Sequence, residues 1–120
     1  MLVEYTTRNG RMKVSIEGKT QTDIFEQLAA FQEVFEDLEC VRNGQASDRV
    51  RFTVREDDDG NKYYELRCSD ASKKECSGSK LAFGQHKKGG TLFPRRQDKD
   101  GNWLPNNGWV KFNKATGKEE

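Results

Sequence analysis

The sequence is short of several things at once: one histidine, two prolines and three cysteines among 120 residues. Each shortage removes a class of function. Three cysteines is an odd number, which argues against a disulfide framework and for a reduced, cytoplasmic protein. His86 is the only histidine. No serine sits in a Gly-x-Ser-x-Gly elbow, and no Walker-type phosphate loop is present. Cys68, Cys76 and His86 lack the paired spacing of two to four residues that structural zinc sites use, so neither metal nor cofactor is expected. No apolar run approaches the roughly 18 residues that span a bilayer. The first residues, Met1-Leu-Val-Glu-Tyr, hold no basic and apolar leader, so no secretory signal is expected. The protein reads as a non-enzyme.

Charge is plentiful but segregated. The net formal charge is +1, with a mean hydropathy of −1.02. Residues 21–40 carry six acids and no base, whereas residues 80–120 carry nine bases and four acids. Such asymmetry speaks to partners more than to fold. The last third suits a polyanion; residues 21–40 do not.

The length fits one domain, taken as residues 1–113, with residues 114–120 expected as a disordered tail. Residues 2–7 and 11–17 flank Asn9-Gly10, a type I′ hairpin signal. Ile24, Leu28, Phe31, Phe35 and Leu38 then recur at spacings of four and three, which predicts one amphipathic helix over 21–39. Thr20 or Thr22 caps it, and Asn43-Gly44 stops it. Its outer face carries Glu26, Glu33, Glu36, Asp37 and Glu39. From residue 49 the period switches to two. Val50, Phe52 and Val54 alternate with Arg49, Arg51, Thr53 and Arg55, the loop Glu56-Asp57-Asp58-Asp59-Gly60-Asn61 follows, and Tyr63 to Cys68 returns. Shorter strands are expected over Lys80–His86, Thr91–Arg96 and Trp109–Asn113. Lys88-Gly89-Gly90-Thr91 reads as a hairpin turn rather than a phosphate loop. The fold class is therefore mainly β with one amphipathic helix, as an OB-like small β-barrel or a strongly curved antiparallel sheet. Phe52, Tyr64, Phe83 and Phe112 are expected in its core.

Aromatic and basic residues interleave along the strands, the combination that tracks a phosphate backbone and stacks bases. Arg51, Arg55, Lys87, Lys88, Arg95, Arg96 and Lys111 are the candidates for phosphate. Tyr63, Phe93, Trp103 and Trp109 are the candidates for stacking. Arg67 shares a strand face with Tyr63. An acidic helix is no recognition helix, so bases would be met on strands and loops, where single strands offer them.

The runs Lys62–Cys68, Lys80–Arg96 and Leu104–Lys111 resemble a small phage and prophage family of single-stranded-DNA-binding proteins, over about residues 49–113. The resemblance implies an OB-like fold, coating of single-stranded DNA and work beside recombination or replication proteins of phage or host. Two departures stand out. The chain ends Gly117-Lys118-Glu119-Glu120 rather than in an acidic, Phe-tipped tail, and its helix follows the second strand rather than the third. An edge strand would allow a homodimer. The alternative function is a phage protein-interaction module, or an inhibitor of a host enzyme, that uses the acidic helix as a DNA-like surface.

Overall fold

A computed structural model describes residues 1–36 and 38–120; Asp37 of the expected acidic face lies outside them. The fold is mainly β with one helix, in two compact units. The first comprises residues 1–38 and 86–93, the second residues 39–85 and 94–120.

In the first unit, β1 (Leu2–Thr6) pairs antiparallel with β2 (Lys13–Glu17). Val3 opposes Ile16 and Tyr5 opposes Val14, so the apolar residues share one face. Their connection is wider than a type I′ turn. Gly10 alone takes a positive φ of 73°, while the Asn9 side chain accepts from the backbone N–H of Arg11. The helix α1 (Gln21–Phe35) buries Ile24 and sets Phe31 edge-on to Tyr5, with centroids 6.0 Å apart. Thr20 is its cap, accepting from the Asp23 N–H. The helix ends at Phe35, short of the expected residue 39. Its last turn has no basic residue to offset the dipole. Glu36 turns instead to the hairpin, taking hydrogen bonds from Tyr5 Oη at 2.6 Å and the Arg8 N–H at 2.9 Å.

In the second unit, β3 (Cys40–Arg42) and β4 (Gln45–Ser47) form a hairpin around Asn43-Gly44, at φ 49° and 83°. That dipeptide makes a type I′-like turn here rather than a helix stop. β5 (Val50–Glu56), β6 (Lys62–Cys68) and β7 (Lys80–Gln85) follow; with β8 (Leu92–Pro94), whose first two residues count in the first unit, the strand order is β5-β6-β7-β8. Leu66 opposes Leu81, and both are nearly fully buried with Cys40, Cys76, Ser79 and Trp109. Phe52 and Phe112, expected inside, are more than half exposed. β5 has a neighbour on one side only, and Phe112 lies in the short strand β9 (Phe112–Asn113).

β9 pairs with β10 (Lys118–Glu119), and Lys111 and Glu120 exchange both backbone hydrogen bonds. The segment from Lys114, expected as a loose tail, thus folds back as a hairpin. Among the described residues the strands make one four-stranded and three two-stranded sheets, and no closed barrel.

Candidate nucleic-acid interface

Strand register decides which candidates meet. Arg51 on β5 opposes Arg67 on β6, which opposes Lys80 on β7. Arg55 opposes Tyr63, and Thr53 opposes Glu65. Residues paired across strands share a face. Arg51, Arg55, Tyr63 and Arg67 therefore stand together, joined by Lys80. Directly opposed like charges are destabilising on a sheet, so a row of three cations needs a counter-charge.

Glu65 supplies it. Its side chain is 3% exposed, with Arg67 Nη2 at 3.1 Å, Lys80 Nζ at 3.4 Å and Arg55 Nε at 3.8 Å. Burial alone would raise its pKa, but the hydrogen bonds and charges of Arg67 and Lys80 outweigh it and hold the pKa below the ordinary 4.5. Lys80 also meets Glu119, at 2.8 Å. Arg51 has no carboxylate partner among the described residues.

Tyr63 is fixed at two points. Its hydroxyl donates to Asp57 Oδ2 at 2.9 Å, and the Arg55 guanidinium lies 4.6 Å from its ring centroid. The hydrogen bond to Asp57 raises the Tyr63 pKa above the ordinary 10.0, and the two contacts hold the ring on the cationic face.

The remaining candidates are spread over both units. Lys87 and Lys88 are exposed on the turn between β7 and β8, where the His86 N–H closes onto the Thr91 carbonyl. Phe93 stacks on His86 with centroids 4.6 Å apart. Arg95 donates its backbone N–H to Ala82, and Arg96 Nη1 donates to the Asn107 carbonyl at 2.8 Å. Trp103 is 71% exposed. Trp109, at 1%, is core rather than a stacking surface. Its backbone N–H closes the turn Pro105–Gly108, which folds the ring inward. Lys111 therefore loses Trp109 as an exposed neighbour, and its Nζ donates to the Lys74 carbonyl at 2.9 Å.

The sequence reading missed a repeat. Arg55-Glu56-Asp57-Asp58-Asp59-Gly60-Asn61 and Arg96-Gln97-Asp98-Lys99-Asp100-Gly101-Asn102 share the pattern Arg-Glu/Gln-Asp-x-Asp-Gly-Asn. Both fold alike. Asp57 Oδ1 accepts from the N–H of Asp59 and Asn61, as Asp98 Oδ1 does from Asp100 and Asn102. Gly60 and Gly101 both sit at φ 83°. The missed signal was the recurrence of Asp-x-Asp-Gly-Asn. Each turn is followed within two residues by an outward aromatic, Tyr63 or Trp103.

The other reactive groups gather into no site. Cys40, Cys68 and Cys76 are buried free thiols, and burial pushes the Cys40 pKa upward. Among the described residues no three His, Cys, Asp or Glu side chains are grouped to hold a metal. No helix among them is long and apolar enough to cross a membrane. The acidic helix gives up Glu36 to Tyr5 and Arg8, leaving Glu26 and Glu33 exposed. Compared with protein-family models, curated proteins and solved structures, the chain matches none.

Proposed function

We propose that this protein binds single-stranded DNA, largely without sequence preference, on the outer face of β5, β6 and β7. The observation that carries the reading is the cation row Arg51–Arg67–Lys80 beside a ring locked in place. The row can track phosphates, and Tyr63 and the exposed Trp103 can stack bases for about 1–3 kcal/mol each. An open sheet face is enough for this; an OB-like barrel would be a further closure of the same surface. The setting we propose is the one the resemblance implies: non-catalytic coating in phage replication and recombination, in the host cytoplasm. A second reading, a protein-interaction module, draws on Phe25, which is 76% exposed on the acidic helix.

The test is titration with labelled oligo-dT, followed by anisotropy and Trp fluorescence at low and high salt, with duplex DNA as control. Preferential single-strand binding that weakens with salt is expected. Quenching should vanish in Trp103→Phe, because Trp109 is sealed from solvent. Arg51→Glu removes an unpaired cation and should flatten the log–log salt slope by about 0.7 or more. Unchanged affinity and slope in Arg51→Glu would take this face out of the site. A Phe25→Ser variant that keeps full DNA affinity separates the helix from it.

A further inference from the structure

We propose that Glu65 is a built-in competitor for the phosphates, an internal anion that holds the binding row in the free protein and opposes its occupation. The proposal rests on the single-strand-binding reading. The geometry puts the anion beneath and the cations above. The Glu65 side chain is 3% exposed, whereas those of Arg55, Arg67 and Lys80 are 53%, 41% and 23% exposed. A polyanion approaching from solvent reaches the cations but does not displace the carboxylate from its place on the strand.

Without DNA, Glu65 offsets the repulsion between directly opposed Arg67 and Lys80 and draws in Arg55. With DNA, phosphates perform the same office from outside, and the carboxylate a few ångströms below repels them. Its negative charge therefore stabilises the free state more than the complex. By the thermodynamic cycle, removing that charge strengthens binding and weakens the free fold. Glu119, which meets Lys80 from the exposed side, acts on one cation only.

The experiment is Glu65→Gln, which keeps the shape and an acceptor oxygen, measured with oligo-dT by anisotropy across a salt series and by thermal melting with and without DNA. The expected result is binding about fivefold tighter at low salt, the size of one partly exposed charge pair. The salt slope should be steeper by about 0.7, with a lower Tm for the free protein. A purely structural role would lower Tm and leave affinity and slope alone; that result, or weaker binding by the folded variant, overturns the proposal. Should Glu65→Gln fail to fold, Glu119→Gln relieves Lys80 from the surface and must tighten binding by a smaller factor; no gain there overturns it equally. Wild-type protein that binds no oligo-dT at any salt defeats the single-strand reading itself, and the competitor role falls with it.

Discussion

Gly108 occupies a backbone conformation and a space that no other residue fits. Its φ is 88°, and a methyl group there would press on the Arg95 carbonyl oxygen, the Arg96 Cα and Leu81 Cδ1. Two costs combine, the left-handed conformation and the backbone collision. We expect Gly108→Ala to destabilise the protein by about 3 kcal/mol or more in urea unfolding. Gly101→Ala, with open space around it at φ 83°, should cost about 1 kcal/mol through conformation alone. Similar losses in the two variants would mean that the close approach at Gly108 is not what holds Trp109 inward. The same contrast limits what a sequence can say of aromatics. Trp103 and Trp109 are the same letter six positions apart, each beside turn-forming residues, yet one is exposed and the other sealed. The difference comes from the turn Pro105–Gly108, with Asn106 and Asn107 at positive φ, and from its packing on residues 81 and 95–96. Those contacts are distant in the chain and leave no periodic trace.

At the scale of elements, the legible parts were those with a local cause. The helix had its stripe and its cap, and the β5–β6 hairpin had strict alternation around a turn rich in Asp and Gly. The register of that hairpin followed, and with it the shared face of Arg51, Arg55, Tyr63 and Arg67. Asn43-Gly44 was misread because a helix stop and a type I′ turn use the same residues, and three-residue strands show too little alternation to decide. Glu65 escaped notice as a site residue because its meeting with Lys80 depends on the β6–β7 register across a loop of eleven residues, 69–79. The two matched turns allow a direct comparison. Asp57 Oδ2 also accepts from Asn61 Nδ2 and the Tyr63 hydroxyl, bonds that Asp98 does not make among the described residues. Asp57→Ala should therefore lower Tm more than Asp98→Ala. It should also let the raised Tyr63 pKa fall back toward 10.0, which ultraviolet titration of the phenol against a Tyr63→Phe control would read. Equal Tm losses and an unmoved phenol would show that Asp57 shapes the turn without holding the ring.

For the whole molecule, the titrating groups set a window of stability with two edges. Among the described residues four carboxyls sit below their ordinary values. Glu36 is held down by hydrogen bonds from Tyr5 and Arg8, and Asp57 by the Asn61 backbone and by Tyr63. In Glu65, Arg67 and Lys80 outweigh burial; in Asp70, the hydroxyls of Ser72 and Ser47 donate. A depressed pKa gives stability that is present above the unfolded value, here 4.5 for Glu and 3.8 for Asp, and lost as pH falls through the folded one. The acid edge should therefore lie below about pH 5. Cys40 makes the other edge. Burial raises its pKa above the ordinary 9.0, so the folded protein keeps a neutral thiol where the unfolded chain ionises. That contribution is full below pH 9.0 and declines as pH rises beyond it. Tyr5 and Tyr63, raised above 10.0 by Glu36 and Asp57, act in the same direction at higher pH. Tm should thus be flat from about pH 5 to 8 and fall on both sides. Glu65→Gln and Asp70→Asn should each make the acid limb shallower, and Cys40→Ala the alkaline limb. The carboxyls and the thiol titrate in separate pH ranges, so each variant should move its own limb and leave the other in place. A Cys40→Ala protein with an unaltered alkaline limb would assign that edge to the tyrosines. An acid limb unmoved by both carboxyl variants would mean that the two buried anions are held no more tightly in the fold than in the open chain, which the hydrogen bonds around Glu65 and Asp70 argue against.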